Sequence, residues 1–123
     1  MRHFASREEF DAFAERLYAE HSYRFGDWSF NWVILEVRDG ERRMRITERQ
    51  GDILRILLDA APEPVRPSQI ARLVSEAQAY EFDVAGVKVF IRRLRRRLGR
   101  ERIVTTLTGY AFVPFVGIPA VAR

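Results

Sequence analysis

The chain has 123 residues and contains 21 basic side chains, 17 acidic side chains, two histidines and no cysteine. This length suits a single domain with a sizeable core, and the lack of cysteine excludes a disulfide framework and a thiolate metal site. The N-terminus has no apolar signal-peptide core, so we expect a cytoplasmic protein.

Positive charge is concentrated toward the C-terminus. Residues 1–83 carry 12 basic and 16 acidic side chains, whereas residues 84–123 carry nine basic side chains and a single acid, Glu101. This asymmetry favours nucleic acid or an anionic membrane as a partner, and its plain alternative is a solvated arginine-rich helix. Residues 103–122 carry no charged side chain, and a segment of this length is long enough to span a bilayer. Its prolines and glycines argue against a membrane segment.

The first part of the chain predicts a helix followed by an antiparallel sheet. Ser6 and Glu9 form a capping-box pattern ahead of apolar residues at helical spacing, which predicts an amphipathic helix over about 7–20. Residues 23–47 are rich in aromatic and β-branched side chains and contain Asp39-Gly40, a favoured two-residue hairpin turn. We expect two or three short strands there.

Three helices and a hairpin are predicted next. The predicted helices cover about 48–60, 67–77 and 84–98, and they begin at Thr47 with Gln50 as a capping box, at Pro67, and at Asp83 as a cap. The last of them ends before Gly99. The stretch IVTTLTGYAFVP then alternates like two strands joined near Thr108-Gly109.

The helix over 84–98 contains RRLRRR, with five arginines between Arg92 and Arg97. Like charges at i and i+4 repel, so the run destabilises the fold unless an anion neutralises it. Val87, Ile91, Leu94 and Leu98 form one narrow apolar stripe, and the opposite face carries Val89, Arg93 and Arg96. A DNA major groove offers guanine O6 and N7 to an arginine and a thymine methyl to a valine. An isolated exposed valine is also common on ordinary surfaces.

Beyond these patterns, the sequence resembles the OmpR/PhoB-type winged-helix DNA-binding domain of bacterial response regulators. The resemblance rests on VRDGERRMRITERQGDILRILL, on VRPSQIARLV, and above all on VKVFIRRLRRRLG followed by IVTTLTGYAF. It implies an α+β winged helix-turn-helix with an N-terminal antiparallel sheet, a three-helix core and a C-terminal β-hairpin wing. We expect an N-terminal amphipathic extension over 1–22, the winged-helix domain over 23–114 and an apolar tail over 115–123.

The resemblance also implies roles for individual residues on the helix at about 84–98, which is expected in the major groove of double-stranded DNA. Val89 and Arg93 match base-contacting positions, and phosphate contacts are expected from Lys88, Arg92, Arg95 and Arg96. The loop between the second and third helices, with Gln78, Tyr80 and Glu81, lies where several family members touch RNA polymerase. The expected function is sequence-specific transcription regulation in the cytoplasm, associated with the nucleoid.

Several positions depart from the family pattern. Ala85-Gly86, Lys88 and Phe90 replace residues that the family often carries, so a different DNA specificity is expected. Gly86 costs helix stability unless another group, such as a DNA phosphate, approaches it closely. Leu107 lies about where the family has a minor-groove arginine, and no basic residue occurs between Ile103 and Ala122. These departures favour the alternative of a winged-helix module that binds RNA polymerase or another regulator.

Only 22 residues precede the first predicted strand, which is too few for the receiver domain of a response regulator. We therefore expect control that does not depend on phosphorylation of an attached receiver. The helix over 7–20 or the tail over 115–123 is expected to pack on the sheet or to join two protomers, and packing within the protomer is the preferred alternative. A homodimer is the other alternative.

The sequence contains no pattern that is typical of a catalytic site. His3 and His21 have no zinc-ligand spacing, and there is no glycine-rich phosphate loop, GxSxG elbow or HExxH sequence. We expect no enzyme activity, cofactor, metal or small-molecule substrate.

A third alternative for the helix over 84–98 is a basic amphipathic helix on a membrane surface. Its apolar stripe is narrow and is needed by the core, which argues against this alternative.

Overall fold

A computed structural model describes residues 3–78 and 81–114 of the chain. The elements in chain order are α1 (Arg7–Glu20), β1 (Ser22–Phe25), β2 (Trp28–Asn31), β3 (Glu36–Asp39), β4 (Arg42–Arg45), α2 (Glu48–Ala60), α3 (Pro67–Gln78), α4 (Val84–Leu98), β5 (Ile103–Thr105) and β6 (Tyr110–Phe112). They form two compact units that divide between Arg45 and Ile46.

In the first unit, helix α1 has the predicted bounds. Ser6 caps it by accepting a hydrogen bond from the Glu9 amide, but the Glu9 carboxylate accepts from Ala5 N–H, so the predicted capping box is only half formed. The last turn is tied to the strands, because Ser22 Oγ and Asn31 Nδ2 both donate to the Tyr18 carbonyl.

The apolar side of α1 is mostly exposed. Tyr18 is buried, whereas Phe10 and Leu17 are 48% and 45% exposed. The preferred expectation that this side packs within the protomer is therefore met at Tyr18 and in part at Phe13, which is half-buried. Within the described part of the chain, the hydrogen bonds of Tyr18 with Ser29, Ser22 and Asn31 hold the C-terminal turn of α1 to the strands.

Four antiparallel strands follow in the order β1-β2-β3-β4, so the prediction of two or three was wrong. The missed turn lies at Gly26-Asp27, where Gly26 adopts a φ of 60° that favours glycine. The turn between β3 and β4 is Gly40-Glu41, one residue later than predicted, because Asp39 pairs with Arg42 and Gly40 takes the left-handed conformation. Trp28, Phe30 and Val37 are buried on the sheet.

The second unit contains three helices close to their predicted bounds. The Thr47–Gln50 capping box of α2 is complete, Asp83 caps α4, and α3 runs one residue further than predicted. Their core side chains are fully buried: Ile53, Leu54, Leu57, Ile70, Val74, Val87, Ile91 and Leu94.

Strands β5 and β6 form the predicted C-terminal hairpin. The loop between them covers residues 106–109, since Thr105 pairs with Tyr110. Val65 and Tyr110 exchange two backbone hydrogen bonds of 2.8 and 3.0 Å, which join the hairpin to the segment before α3. With three helices and a hairpin wing, this unit is a winged helix, and α4 and the wing are held at fixed positions within it.

Within the described ranges, every helix is too short or too polar to cross a membrane. The same ranges contain no group of three or more His, Cys, Asp or Glu side chains arranged to hold a metal ion.

Candidate nucleic-acid interface

Helix α4 presents two sharply different faces. Val87, Ile91, Leu94 and Leu98 are 4% exposed or less, as their spacing predicts. The other side exposes five side chains that sequence reasoning assigned to DNA contact: Lys88, Val89, Arg92, Arg93 and Arg96. The stripe anchors the helix to the core, so the outward position of these five side chains is set by packing within the unit.

The start of α4 is fixed by two contacts. Asp83 Oδ1 accepts a 2.8 Å hydrogen bond from the Gly86 amide. A Cβ added at Gly86 would lie 3.1 Å from the ring of Phe82. The close approach that justifies glycine here is therefore made by an aromatic ring of the chain itself, and a DNA phosphate is not needed to explain it.

Arg95 is half-buried and joins α4 to the hairpin. Its Nε donates to the Ile103 carbonyl at 2.9 Å, and its Nη2 donates to Thr105 Oγ1 at 2.8 Å. The guanidinium carbon is 5.7 Å from the centre of the Tyr110 ring. The sequence predicted only a phosphate contact for Arg95. It did not predict these hydrogen bonds to the hairpin, because the position of the hairpin beside α4 is a tertiary feature.

A cleft of about 800 Å³ lies between α4 and the hairpin. Its lining includes five cationic side chains, which are Lys88, Arg92, Arg95, Arg96 and Arg100, together with the polar groups of Thr105 and Tyr110. No acidic side chain of the described residues lines it. A concave surface lined by cations concentrates anions, and backbone phosphates are anions of this kind.

The tip of the hairpin is a tightly bonded turn with an apolar residue at its end. Thr106 N donates to the Gly109 carbonyl at 2.7 Å, and Thr106 Oγ1 accepts from the amides of Thr108 and Gly109. Leu107 is fully exposed. A Cβ added at Gly109 would lie 2.0 Å from the Val65 carbonyl oxygen, so glycine is required where the turn meets the segment before α3.

Two aromatic side chains and an arginine from α2 extend the exposed face of α4. The rings of Phe82 and Phe90 are 5.7 Å apart, and the Arg93 guanidinium lies 5.1 Å from the Phe90 ring. Arg49 approaches both rings at 5.7 Å. Sequence reasoning missed Arg49, since nothing in the sequence brings the first turn of α2 beside α4.

The loop residues assigned to polymerase contact are only partly described. Glu81 is exposed. Gln78 ends α3, but its side chain and the whole of Tyr80 lie outside the described residues, as does the tail at 115–123.

Comparison with known proteins identifies the family. The family model described as "Transcriptional regulatory protein, C terminal" matches residues 40–113. The response regulator MprA of Mycobacterium tuberculosis is 28% identical over 95 residues, which cover 73% of this chain and 40% of MprA. The chain thus corresponds to about 40% of the length of the curated relatives it matches.

Solved structures agree with this assignment. The DNA-binding domain of Klebsiella pneumoniae RstA, determined in complex with the RstA box, superimposes with a TM-score of 0.62 and 25% identity, covering 76% of this chain and 98% of that one. The DNA-binding domain of E. coli CadC has the same fold, with a TM-score of 0.64 and 20% identity over 73% of this chain and 89% of that one. The chain therefore belongs to the OmpR/PhoB-type DNA-binding effector domains found at the C-terminus of transcriptional regulatory proteins.

Proposed function

We propose that the chain is a sequence-specific regulator of transcription that inserts α4 into the major groove of double-stranded DNA. The observation that carries this proposal is the exposed face of α4, where Arg93 and Val89 lie beside one another and are flanked by the cationic cleft. Arginine and a small apolar side chain are suited to guanine and to the thymine methyl group.

The proposal divides the cations by role. Arg93 and Val89 would contact base edges, while Lys88, Arg92, Arg95 and Arg96 would contact phosphates along one side of the groove. Their positions support this division, since Lys88, Arg92, Arg95 and Arg96 all line the cleft and Arg93 does not. The function proposed involves no catalysis, cofactor, small molecule or membrane, and it places the protein at the nucleoid in the cytoplasm.

The proposal is tested by titrating the protein against a random 30-bp duplex pool at several salt concentrations and sequencing what stays bound. An enriched motif with a steep fall of log affinity against log salt is expected. Binding with a salt slope but without a motif would contradict sequence specificity.

Arg93→Ala then tests the assignment of base contacts. It should lose about 1–3 kcal/mol of binding free energy on the selected motif and relax the preference at one base pair. Arg55→Ala is the matched control, because Arg55 is an exposed arginine that lines the separate groove between α2 and α3. Equal losses on the motif and on random DNA would contradict a base contact by Arg93.

A second candidate function is a winged-helix module that binds RNA polymerase or another regulator. The fully exposed Leu107 at the hairpin tip favours it, since this apolar side chain lies about where the resemblance places an arginine of the minor groove. Glu81, together with Gln78 and Tyr80, would supply a second contact in this case. Co-purification of a defined partner, with no shift of duplex DNA at low salt, would support this candidate over the first.

We also propose that the exposed side of α1 supports a homodimer. Phe10 and Leu17 are both nearly half exposed, and Phe4 packs on Phe10 with ring centroids 5.2 Å apart, so the apolar surface extends beyond the helix. Sedimentation at the concentrations used for DNA binding should give a dimer that Leu17→Asp converts to a monomer. A wild-type monomer would remove the proposal.

A further inference from the structure

The exposed face of α4 borders on an aromatic pair that is held in place from several directions. Phe82 exchanges two hydrogen bonds with Ser75 at the end of α3, since its amide donates to Ser75 Oγ at 2.9 Å and Ser75 Oγ donates to its carbonyl at 3.2 Å. The Phe82 ring fills the space beside Gly86 and contacts Phe90 one turn further along α4. Both rings are half-buried.

Two guanidinium groups from different helices converge on this pair. Arg93 of α4 lies 5.1 Å from the Phe90 ring, and Arg49 of α2 lies 5.7 Å from the Phe82 ring and 5.7 Å from the Phe90 ring. Arginine is attracted to the face of an aromatic ring by the ring's quadrupole. The Phe90 ring is therefore contacted both by Arg49 and by the side chain that is proposed to contact bases.

Arg49 adds a cation at the edge of this face. It is the second residue of α2, so the partial positive charge of the helix N-terminus lies beside its guanidinium. Both attract a negative group, such as a phosphate of a DNA backbone. Arg93, which is proposed to contact bases, lies against the same Phe90 ring.

We propose that Arg49 is a further DNA-contacting residue, which binds a backbone phosphate at the edge of the groove occupied by α4, and that the Phe82–Phe90 pair positions it. This inference rests on the proposed function, because the phosphate is that of the duplex read by α4. A phosphate contact carries no sequence information, so Arg49 contributes equally on all sequences.

The test compares Arg49→Gln with Arg55→Gln in the full chain. Both variants remove one positive charge from α2, but Arg55 lines the groove between α2 and α3. Affinity for the selected motif and for random duplex is measured between 50 and 200 mM salt. Losing one phosphate contact lowers the salt slope by about 0.9, so the ratio of the affinities at these two salt concentrations should fall roughly 3.5-fold for Arg49→Gln. Arg55→Gln should match the wild type.

Two further variants separate the effect of the charge of Arg49 from the effect of the Phe82–Phe90 pair that positions it. Arg49→Lys retains a cation and should keep most of the wild-type salt slope. In a Phe90→Leu background, which removes one ring of the pair, Arg49→Gln should have a smaller effect than it has in the wild type. Thermal unfolding of each variant confirms that the fold is intact.

A wild-type salt slope in Arg49→Gln would overturn the inference while the proposed function stands. A loss confined to the selected motif would also overturn it, because it would make Arg49 a base contact. A wild-type protein that binds no duplex at low salt would remove the proposed function, and the inference with it.

Discussion

Replacing Arg95 by alanine should destabilise the wing as well as weaken DNA binding. Arg95 makes two hydrogen bonds to β5, one to the Ile103 carbonyl and one to Thr105 Oγ1. Hydrogen bonds from a charged donor contribute about 1.5–3 kcal/mol each when buried. Because Arg95 is half-buried and Thr105 is exposed, we expect a smaller total loss of about 1–2 kcal/mol in the free energy of unfolding.

Thermal and urea denaturation measure this loss directly. For a domain of this size, about 1–2 kcal/mol corresponds to a fall in Tm of roughly 4–10 °C. Arg92→Ala is the matched control, since Arg92 is an exposed arginine on the same cleft. An exposed surface substitution of that kind should change the unfolding free energy by less than about 0.5 kcal/mol. Both variants should lose affinity on motif and random DNA alike if both side chains contact phosphates.

A double-mutant cycle shows whether the hydrogen bond between Arg95 and Thr105 accounts for the loss of stability. Thr105→Val removes one of the two acceptors, and its effect should be smaller in the Arg95→Ala background by at least about 0.5 kcal/mol, as expected for residues in direct contact. Additive effects of the two substitutions, or equal Tm values for Arg95→Ala and Arg92→Ala, would refute the conclusion that Arg95 holds the wing against α4.

Three further substitutions test other parts of the interface. Gly109→Ala should cost about 1–3 kcal/mol by denaturation, because the new Cβ would clash with the Val65 carbonyl and break two backbone hydrogen bonds; a change below about 0.5 kcal/mol would contradict this. Leu107→Arg should leave the Tm unchanged and steepen the salt slope of DNA binding by about 0.9, and an unchanged slope would mean that the wing tip does not approach DNA. Asp83→Ala should lose about 1 kcal/mol by denaturation through its N-cap bond to Gly86, while Asp83→Asn should retain most of it.

Local patterns in the sequence were sufficient to place the helices. Thr47 with Gln50, and Asp83, satisfy free amides at helix starts through side chains only three residues away. The stripe of α4 follows from the 3.6-residue period, which puts Val87, Ile91 and Leu94 on one side in any environment. These features involve short separations along the chain, so the sequence alone predicts them.

The strand count was harder to predict for a physical reason. Gly26 and Gly40 both adopt positive φ and both allow tight turns, but only Gly40 follows an aspartate in the favoured hairpin pair. The Gly26 turn forms because pairing of β1 with β2 stabilises it, and strand pairing connects residues that local propensity does not link.

For the candidate site, the sequence by itself determined the outward cationic face of α4, since the charges and the apolar stripe both lie on one helix. Only the tertiary structure decided what surrounds that face. Arg95 meets β5, Phe82 fills the space beside Gly86, and Arg49 reaches the aromatic pair through contacts between separate elements. Such contacts depend on how helices and hairpin pack around the shared core. A sequence read along its length determines which side chains a helix exposes, but packing determines which other elements lie beside them.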